Sequence, residues 1–286
     1  MGRGARGVNM IHGSPVGRIQ PVAKAVLGPL FRLAWRVRTE GDHHIPTSGG
    51  ALLAPNHTSV LDSFFVPLTL KRRITYVGKA EYLDDWKTKH LFPAMGMIPI
   101  DRSGGNAATD ALDAAAGVLD RGELFGIYPE GTRSRNGKLH KGHTGVARLA
   151  LRTGAPIVPV GILGAMNVQP PEATFPRPFM EVLIRFGEPI DTTRYSHRAN
   201  DRLVLRQITD ELMYAIRQLT GQEYVDSYAT KQAAAVPASP TVISSSAPSD
   251  ALPASLPVED LRGPVAPRSS ASVLSKRPMV ELIDLR

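Results

Sequence analysis

A series of short apolar runs, separated by stretches of helical periodicity, constrains the fold of this chain more than any other feature. The runs at 51–55, 74–77, 97–100, 124–128 and 156–163 have the length of buried strands and are bounded by Gly, Pro or polar clusters. Residues 181–186 alternate between apolar and polar, as a half-buried strand does. Between these runs, Ala108, Leu112, Ala115, Ala116 and Leu119 share one helical face that stops at Gly122. Residues 145–152 read as a helix closed by Gly154, and 201–219 as an amphipathic helix. Strands alternating with helices specify an α/β layered domain, with a central mixed sheet flanked by helices. No internal repeat is present.

The 286 residues leave room for one core of about 200 residues plus appendages. There is no cysteine, which excludes a disulfide framework, a thiolate zinc site and a cysteine nucleophile, and fits a reducing compartment. The net charge of +8 is uneven: residues 1–38 carry seven basic residues and no acidic one, whereas 39–228 carry 21 of each. A nucleic-acid-binding fold would carry its basic face on the folded body, so this distribution argues against one.

Residues 1–15 are rich in Gly and Arg, lack the apolar core of a secretory signal, and are expected to be disordered. From 22 to 38 the pattern becomes helical. Val22, Ala23, Val26, Leu27, Leu30, Leu33, Ala34 and Val37 fill one half-circle, with Lys24, Arg32 and Arg36 on the other. No apolar run approaches the roughly 20 residues that span a bilayer, so such a helix would lie on a membrane, with Phe31 and Trp35 at the interface. An ordinary amphipathic helix packed on the body fits the same pattern. Residues 229–286 contain no aromatic residue, eight prolines and ten serines, too little apolar surface to offset the entropy of ordering. A disordered tail is expected there, with the terminal MVELIDLR as a short helix or docking peptide.

Chemistry is expected where the strands end. Asn56-His57-Thr58-Ser59-Val60-Leu61-Asp62 follows the 51–55 run, so the sheet would deliver His57 to its carboxyl edge. Five positions apart, His57 and Asp62 would lie on opposite faces of a regular helix and can meet only across a bend. Thr58 or Ser59 can cap a helix that starts here, which would leave His57 in the preceding loop and Asp62 in the first turn. Asp62 would then hold one ring nitrogen of His57 and leave the other as a proton acceptor. Ser59 to Asp62 equally fits a plain capping box, and spacing alone favours that reading. Arg102 and the turn Glu130-Gly131-Thr132-Arg133 also follow strands. The two arginines suit bidentate contacts to a phosphate, and the backbone N–H groups of Gly131 and Thr132 an anion-binding concavity. His140 and His143 are spaced for one helix face, but no third metal ligand accompanies them, so solvent or phosphate contact is the better reading.

Four blocks in order resemble the glycerolipid acyltransferases of the 1-acyl-glycerol-3-phosphate (lysophosphatidate) type. They are Asn56-His57 through Asp62, Gly96 through Asp101-Arg102, Tyr128-Pro129-Glu130-Gly131-Thr132-Arg133-Ser134, and the strand around Pro159. Lys141-Gly142 fits the same pattern, and the resemblance covers residues 38 to 190. It implies a glycerol-3-phosphate acyltransferase-like fold, in which His57 acts as general base oriented by Asp62. It further implies that Arg102, Glu130, Gly131, Thr132 and Arg133 hold the glycerol phosphate and that Pro159 lies near the acyl donor. No metal or cofactor is implied; acyl-CoA or acyl carrier protein would serve as co-substrate. The missing Gly-x-Ser-x-Gly elbow fits direct transfer to the acceptor.

Three regions are therefore expected: a basic N-terminal segment with a membrane-surface helix (1–38), an acyltransferase domain (39–228) and a disordered tail (229–286). The expected partners are an anionic membrane surface, a lysophospholipid acceptor and an acyl thioester donor, with no nucleic acid. The expected location is the cytoplasmic face of the cell membrane, and the expected product is phosphatidate for phospholipid synthesis. Two alternatives stay open. One is the same chemistry on another acceptor; the other is a non-catalytic lipid-binding scaffold.

Overall fold

The computed structural model describes residues 20–79, 91–100 and 107–230. Arg102, the N-terminal residues 1–19 and the tail 231–286 with its terminal peptide lie outside the described residues. Helix α1 (Gln20–Ala34) leads into β1 (Arg36–Glu40), and β2 (Ala51–Pro55) is followed by α2 (Asp62–Thr69) and β3 (Ile74–Lys79). Then come the short α3 (Leu91–Ala94), β4 (Met97–Ile100), α4 (Ala107–Asp120) and β5 (Leu124–Gly126). The chain continues through β6 (Leu139–His140), α5 (Gly145–Thr153), β7 (Ile157–Leu163), α6 (Ala165–Val168), β8 (Glu181–Phe186), α7 (Arg202–Thr220) and β9 (Tyr224–Val225).

Seven strands form one sheet in the order β1-β8-β7-β2-β5-β3-β4, parallel throughout except between β7 and β8. This is the mixed sheet flanked by helices that the alternating pattern predicts. β2 lies at its centre with all five residues buried. Its side chains alternate: Leu52 and Ala54 join the core beneath α4, α5 and α7, and Ala51 and Leu53 join the core beneath α2. An apolar run with no polar member is what a strand covered on both faces requires. Asp201 starts α7 by accepting from the N–H groups of Leu203 and Val204, and Gly154 ends α5 in the left-handed conformation that glycine favours.

The N-terminal helix differs from its sequence pattern. It ends at Ala34, and the last three residues expected in a helix running to Arg38 belong instead to Arg36–Glu40, an edge strand paired with β8. Val37 fits both patterns, and the unpaired edge of β8 supplies hydrogen bonds that one more helical turn would not. Within α1 the apolar half-circle is split. Ala23, Leu27 and Phe31 pack toward Phe64 and Phe92, whereas Val22, Val26, Leu30 and Leu33 are 58% to 75% exposed. Lys24, placed by the helical wheel on the polar side, turns inward and donates from Nζ to the carbonyls of Leu70 (3.1 Å) and Arg72 (2.9 Å). Burial lowers its pKa to about 8. Gln20 is fully buried, bridging the carbonyls of Ile74 and Met95 and accepting from the N–H of Ile74.

Candidate active site

Asn56 is the hinge between the sheet and the site. Its side-chain amide behaves like one more residue of β2: Nδ2 donates to the carbonyl of Ile162 and Oδ1 accepts from the N–H of Ile162 at 2.7 Å. A second bond from Nδ2 reaches Oε1 of Gln222. The next residue, His57, leaves the sheet with its backbone held on both sides by the 130–134 turn. Its N–H donates to Oε2 of Glu130 (3.1 Å), and its carbonyl accepts from the N–H of Ser134 (2.7 Å).

The bend between His57 and Asp62 brings the two side chains together, but neither Thr58 nor Ser59 caps the helix: the capping position of α2 is Leu61, with no side-chain cap bond. Asp62 is the first residue of α2 and is fully buried. One of its oxygens, Oδ2, accepts from the N–H groups of Thr58 (2.8 Å) and Ser59 (2.9 Å) and also meets Nδ1 of His57 at 3.0 Å. A carboxylate has no proton to donate here, so Nδ1 carries the hydrogen and Nε2 is left as the acceptor. Tyr128 stacks on the imidazole, with centroids 3.8 Å apart and planes 16° from parallel. Its hydroxyl lies 3.2 Å from Oγ of Ser63. The stacked ring restrains the imidazole. Burial first, then the nearby Tyr76 and Asp62, raises the pKa of Tyr128, so its hydroxyl stays neutral.

Glu130 is 1% exposed and spends both oxygens on backbone: Oε2 on His57 and Oε1 on the N–H of His140 (3.0 Å). This geometry makes it a clamp between the His57 loop and β6; its carboxylate is turned away from a ligand. Burial pushes its pKa up to about 7 from an ordinary 4.5, against the pull of the two backbone donors. In the window between those values the folded state binds the extra proton, so the stability this group contributes is complete below about 4.5 and is lost as the pH rises through about 7. Glu130→Gln removes the titration and sets an NH₂ against one of the two N–H donors. The expected result is a less stable variant whose deficit in Tm relative to the parent shrinks as the pH is raised through that window; thermal melts across pH check it, and a constant difference would count against a raised Glu130 pKa.

Gly131 adopts φ 72, and a Cβ there would lie 3.0 Å from Cδ2 of His143. Its N–H is used inside the turn, donating to the carbonyl of Tyr128. Of the two N–H groups expected to hold an anion, only that of Thr132 has no acceptor among the described residues. Arg133 and Thr132 line a cavity with His57, and Arg133 has no ion-pair partner among the described residues. Arg102, expected to hold the phosphate with them, lies outside the described residues. Pro159 is buried in the sheet opposite Ala54, packs on Gly187, and does not line this cavity.

The cavity holds about 670 Å³. Its lining combines polar side chains, Ser63, Thr132, Arg133, Arg135 and His143, with apolar ones, among them Val60, Val77, Met95, Met97, Leu112 and Ile127. Nothing in the sequence marks Arg135 as a ligand, and Tyr128 enters there only as the first residue of its block, because position in a motif gives no sign of stacking. His143, read from sequence as a solvent or phosphate contact, lines the cavity. The two neighbouring histidines diverge. His143 stacks on Tyr228, whereas both ring nitrogens of His140 meet protein oxygens, of Ser227 and Asn136.

A histidine fixed by a buried aspartate, with no partner on its second nitrogen among the described residues, on a cavity with polar and apolar lining, can take a proton from a substrate that is part polar and part hydrocarbon. Residues 36–163, the stretch that contains this site, match the Acyltransferase family model. The chain is 32% identical over 157 residues to the 1-acyl-sn-glycerol-3-phosphate acyltransferase of Limnanthes douglasii, covering 54% of this chain and 55% of that one. To the chloroplastic enzyme of the same name from Arabidopsis thaliana it is 27% identical over 137 residues, 48% of this chain and 38% of that one. It thus spans about half the length, or less, of these relatives. The crystal structure of PlsC, the 1-acyl-sn-glycerophosphate acyltransferase of Thermotoga maritima, shares the fold with a TM-score of 0.54 and 22% identity, over 71% of this chain and 78% of that one.

Proposed function

We propose that this protein transfers an acyl group from an acyl thioester to the free hydroxyl of lysophosphatidate, producing phosphatidate. The observation that carries the reading is the His57–Asp62 pair on a cavity lined both by Arg133 and by apolar side chains. Nε2 of His57 takes the proton of the acceptor hydroxyl as its oxygen attacks the thioester carbonyl. The imidazolium is held by the Asp62 carboxylate and by the Tyr128 ring. When the tetrahedral intermediate collapses, the C–S bond breaks and the proton on Nε2 passes to the departing thiolate. Arg133 pairs with the acceptor phosphate, and the apolar lining of the cavity takes hydrocarbon chain. The donor is acyl-CoA or acyl carrier protein, and the product enters phospholipid synthesis.

The proposed setting is the cytoplasmic face of an anionic membrane, to which α1 presents Val22, Val26, Leu30 and Leu33 with Arg32 beside them. No described helix is long and apolar enough to cross a membrane. The ordered dyad favours an enzyme over a lipid-binding scaffold.

A panel of acceptors and donors tests the reading. With labelled acyl-CoA and acyl carrier protein, lysophosphatidate is expected to be acylated in preference to monoacylglycerol and to lysophospholipids with larger head groups. Arg133→Ala is expected to raise KM for lysophosphatidate roughly tenfold to a hundredfold, the worth of one charge-assisted hydrogen bond, and to leave monoacylglycerol unaffected. Equal use of phosphorylated and unphosphorylated acceptors, unchanged by Arg133→Ala, would assign the enzyme another acceptor.

A further inference from the structure

Of the eight phenylalanines, six are packed into the apolar clusters and two, Phe175 and Phe179, are 79% and 69% exposed. Both lie in the loop 169–180 between α6 and β8, where Pro170, Pro171, Pro176 and Pro178 restrict the backbone. The loop is tied down at several points. The N–H of Phe179 donates to the carbonyl of Ala34 at 2.6 Å, Nε1 of Trp35 to the carbonyl of Arg177, and the N–H of Arg177 to the carbonyl of Val168. Phe179 is therefore held at the C-terminal end of α1, the helix whose Leu33 is exposed. Its φ is 61, the one positive value at a described residue other than glycine. A bulky side chain adopts that conformation only at a cost, and at this site the cost returns no burial.

We propose that the loop 169–180 is a second membrane-contact element, which inserts Phe175 and Phe179 into the interfacial layer of an anionic bilayer beside the exposed apolar face of α1. The proposal rests on the reading of α1 as a membrane-surface helix. Charge complementarity selects the occupant. Arg32, Arg36 and Arg177 are exposed around this face; residues 20–38 contain no acidic side chain, and the loop contains one, Glu172. A second copy docked face to face across a two-fold axis would oppose arginine to arginine, whereas anionic head groups would neutralise them. The proline-stiffened, tethered loop also reaches its bound shape before contact, so little ordering entropy is lost on docking. Two anchoring points, one helical and one aromatic, would hold the domain in a single orientation toward the lipid rather than let it roll about α1.

The test is co-sedimentation of the full chain with phosphatidylcholine vesicles containing phosphatidylglycerol, comparing Phe175→Ser/Phe179→Gly with Leu30→Ser/Leu33→Ser. The phenylalanine variant is expected to lose affinity by roughly tenfold or more per ring. Its thermal transition should not fall, because glycine accepts the φ of Phe179 and neither ring is buried. If only the leucine variant loses binding, the loop inference is overturned and the role of α1 stands; if neither does, the membrane reading fails and this inference with it. A self-association that the phenylalanine variant abolishes, with vesicle binding unchanged, overturns it in favour of a contact between copies. Should the double variant be destabilised, Phe175→Ser alone decides: unchanged binding overturns the inference.

Discussion

His57→Ala is expected to lower kcat for acyl transfer by roughly 10²–10⁴-fold, the range by which positioned acid–base groups accelerate such steps. The fold is expected to survive, because what pins this residue is its backbone: N–H to Glu130 and carbonyl from Ser134, both available to alanine. The side chain adds one hydrogen bond to Asp62 and the stack on Tyr128, together about 1–3 kcal/mol. KM for either substrate should change little, since the missing interaction is made in the transition state. Initial rates with labelled acyl-CoA, alongside a thermal melt, check both halves. A rate within tenfold of the parent would remove His57 from the role of base.

Substitutions at Asp62 are expected to separate its two tasks. In Asp62→Asn the amide oxygen can occupy the place of Oδ2 and still accept from Thr58, Ser59 and His57, while the NH₂ takes the place of Oδ1, which has no hydrogen-bond partner among the described residues. Geometry persists and the charge that stabilises the imidazolium is lost. A fall in kcat of roughly tenfold to a hundredfold, about 1.5–3 kcal/mol, is expected, with a loss of Tm from the buried NH₂ that lacks an acceptor but a smaller one than in Asp62→Ala, where three donors lose theirs. Asp62→Ala should match His57→Ala in activity and also unfold more easily, because each buried N–H left without an acceptor costs roughly 1–3 kcal/mol. Equal melting of the two Asp62 variants would show that the backbone N–H groups find other partners.

Much of the fold was legible in the order of apolar runs, because strand and helix periodicities depend on neighbours a few positions apart. The buried strand Ala51–Pro55 and the helix ended by Gly154 are such cases. The strand Arg36–Glu40 was not, because Val37 suits a helical face as well as a strand, and the hydrogen bonds that choose between them come from Glu181–Phe186. Lys24 was misplaced for a related reason: a helical wheel shows which side chains share a face but not which face meets the carbonyls of Leu70 and Arg72.

At the site, the residue types were readable and their uses were not. His57, Asp62 and the 130–133 turn do converge at one end of the sheet, as strand ends predict. Glu130 carried the same motif signal as Arg133, yet its carboxylate is turned onto two backbone N–H groups while Arg133 faces the cavity. Pro159, equally marked, is sealed inside the sheet.

By itself the sequence determined the α/β alternation, the basic apolar N-terminal helix, and the set of side chains able to take a proton or pair with a phosphate. Each of these depends on composition or on spacing along a few turns. Only the tertiary structure decided that β2 is central, that one oxygen of Asp62 both ties down the loop before α2 and orients His57, that Tyr128 covers the imidazole, and that Phe175 and Phe179 stand out of the loop 169–180. Those outcomes depend on pairing and burial between residues tens of positions or more apart in the chain, or, for Asp62, on a bend that local spacing left undecided.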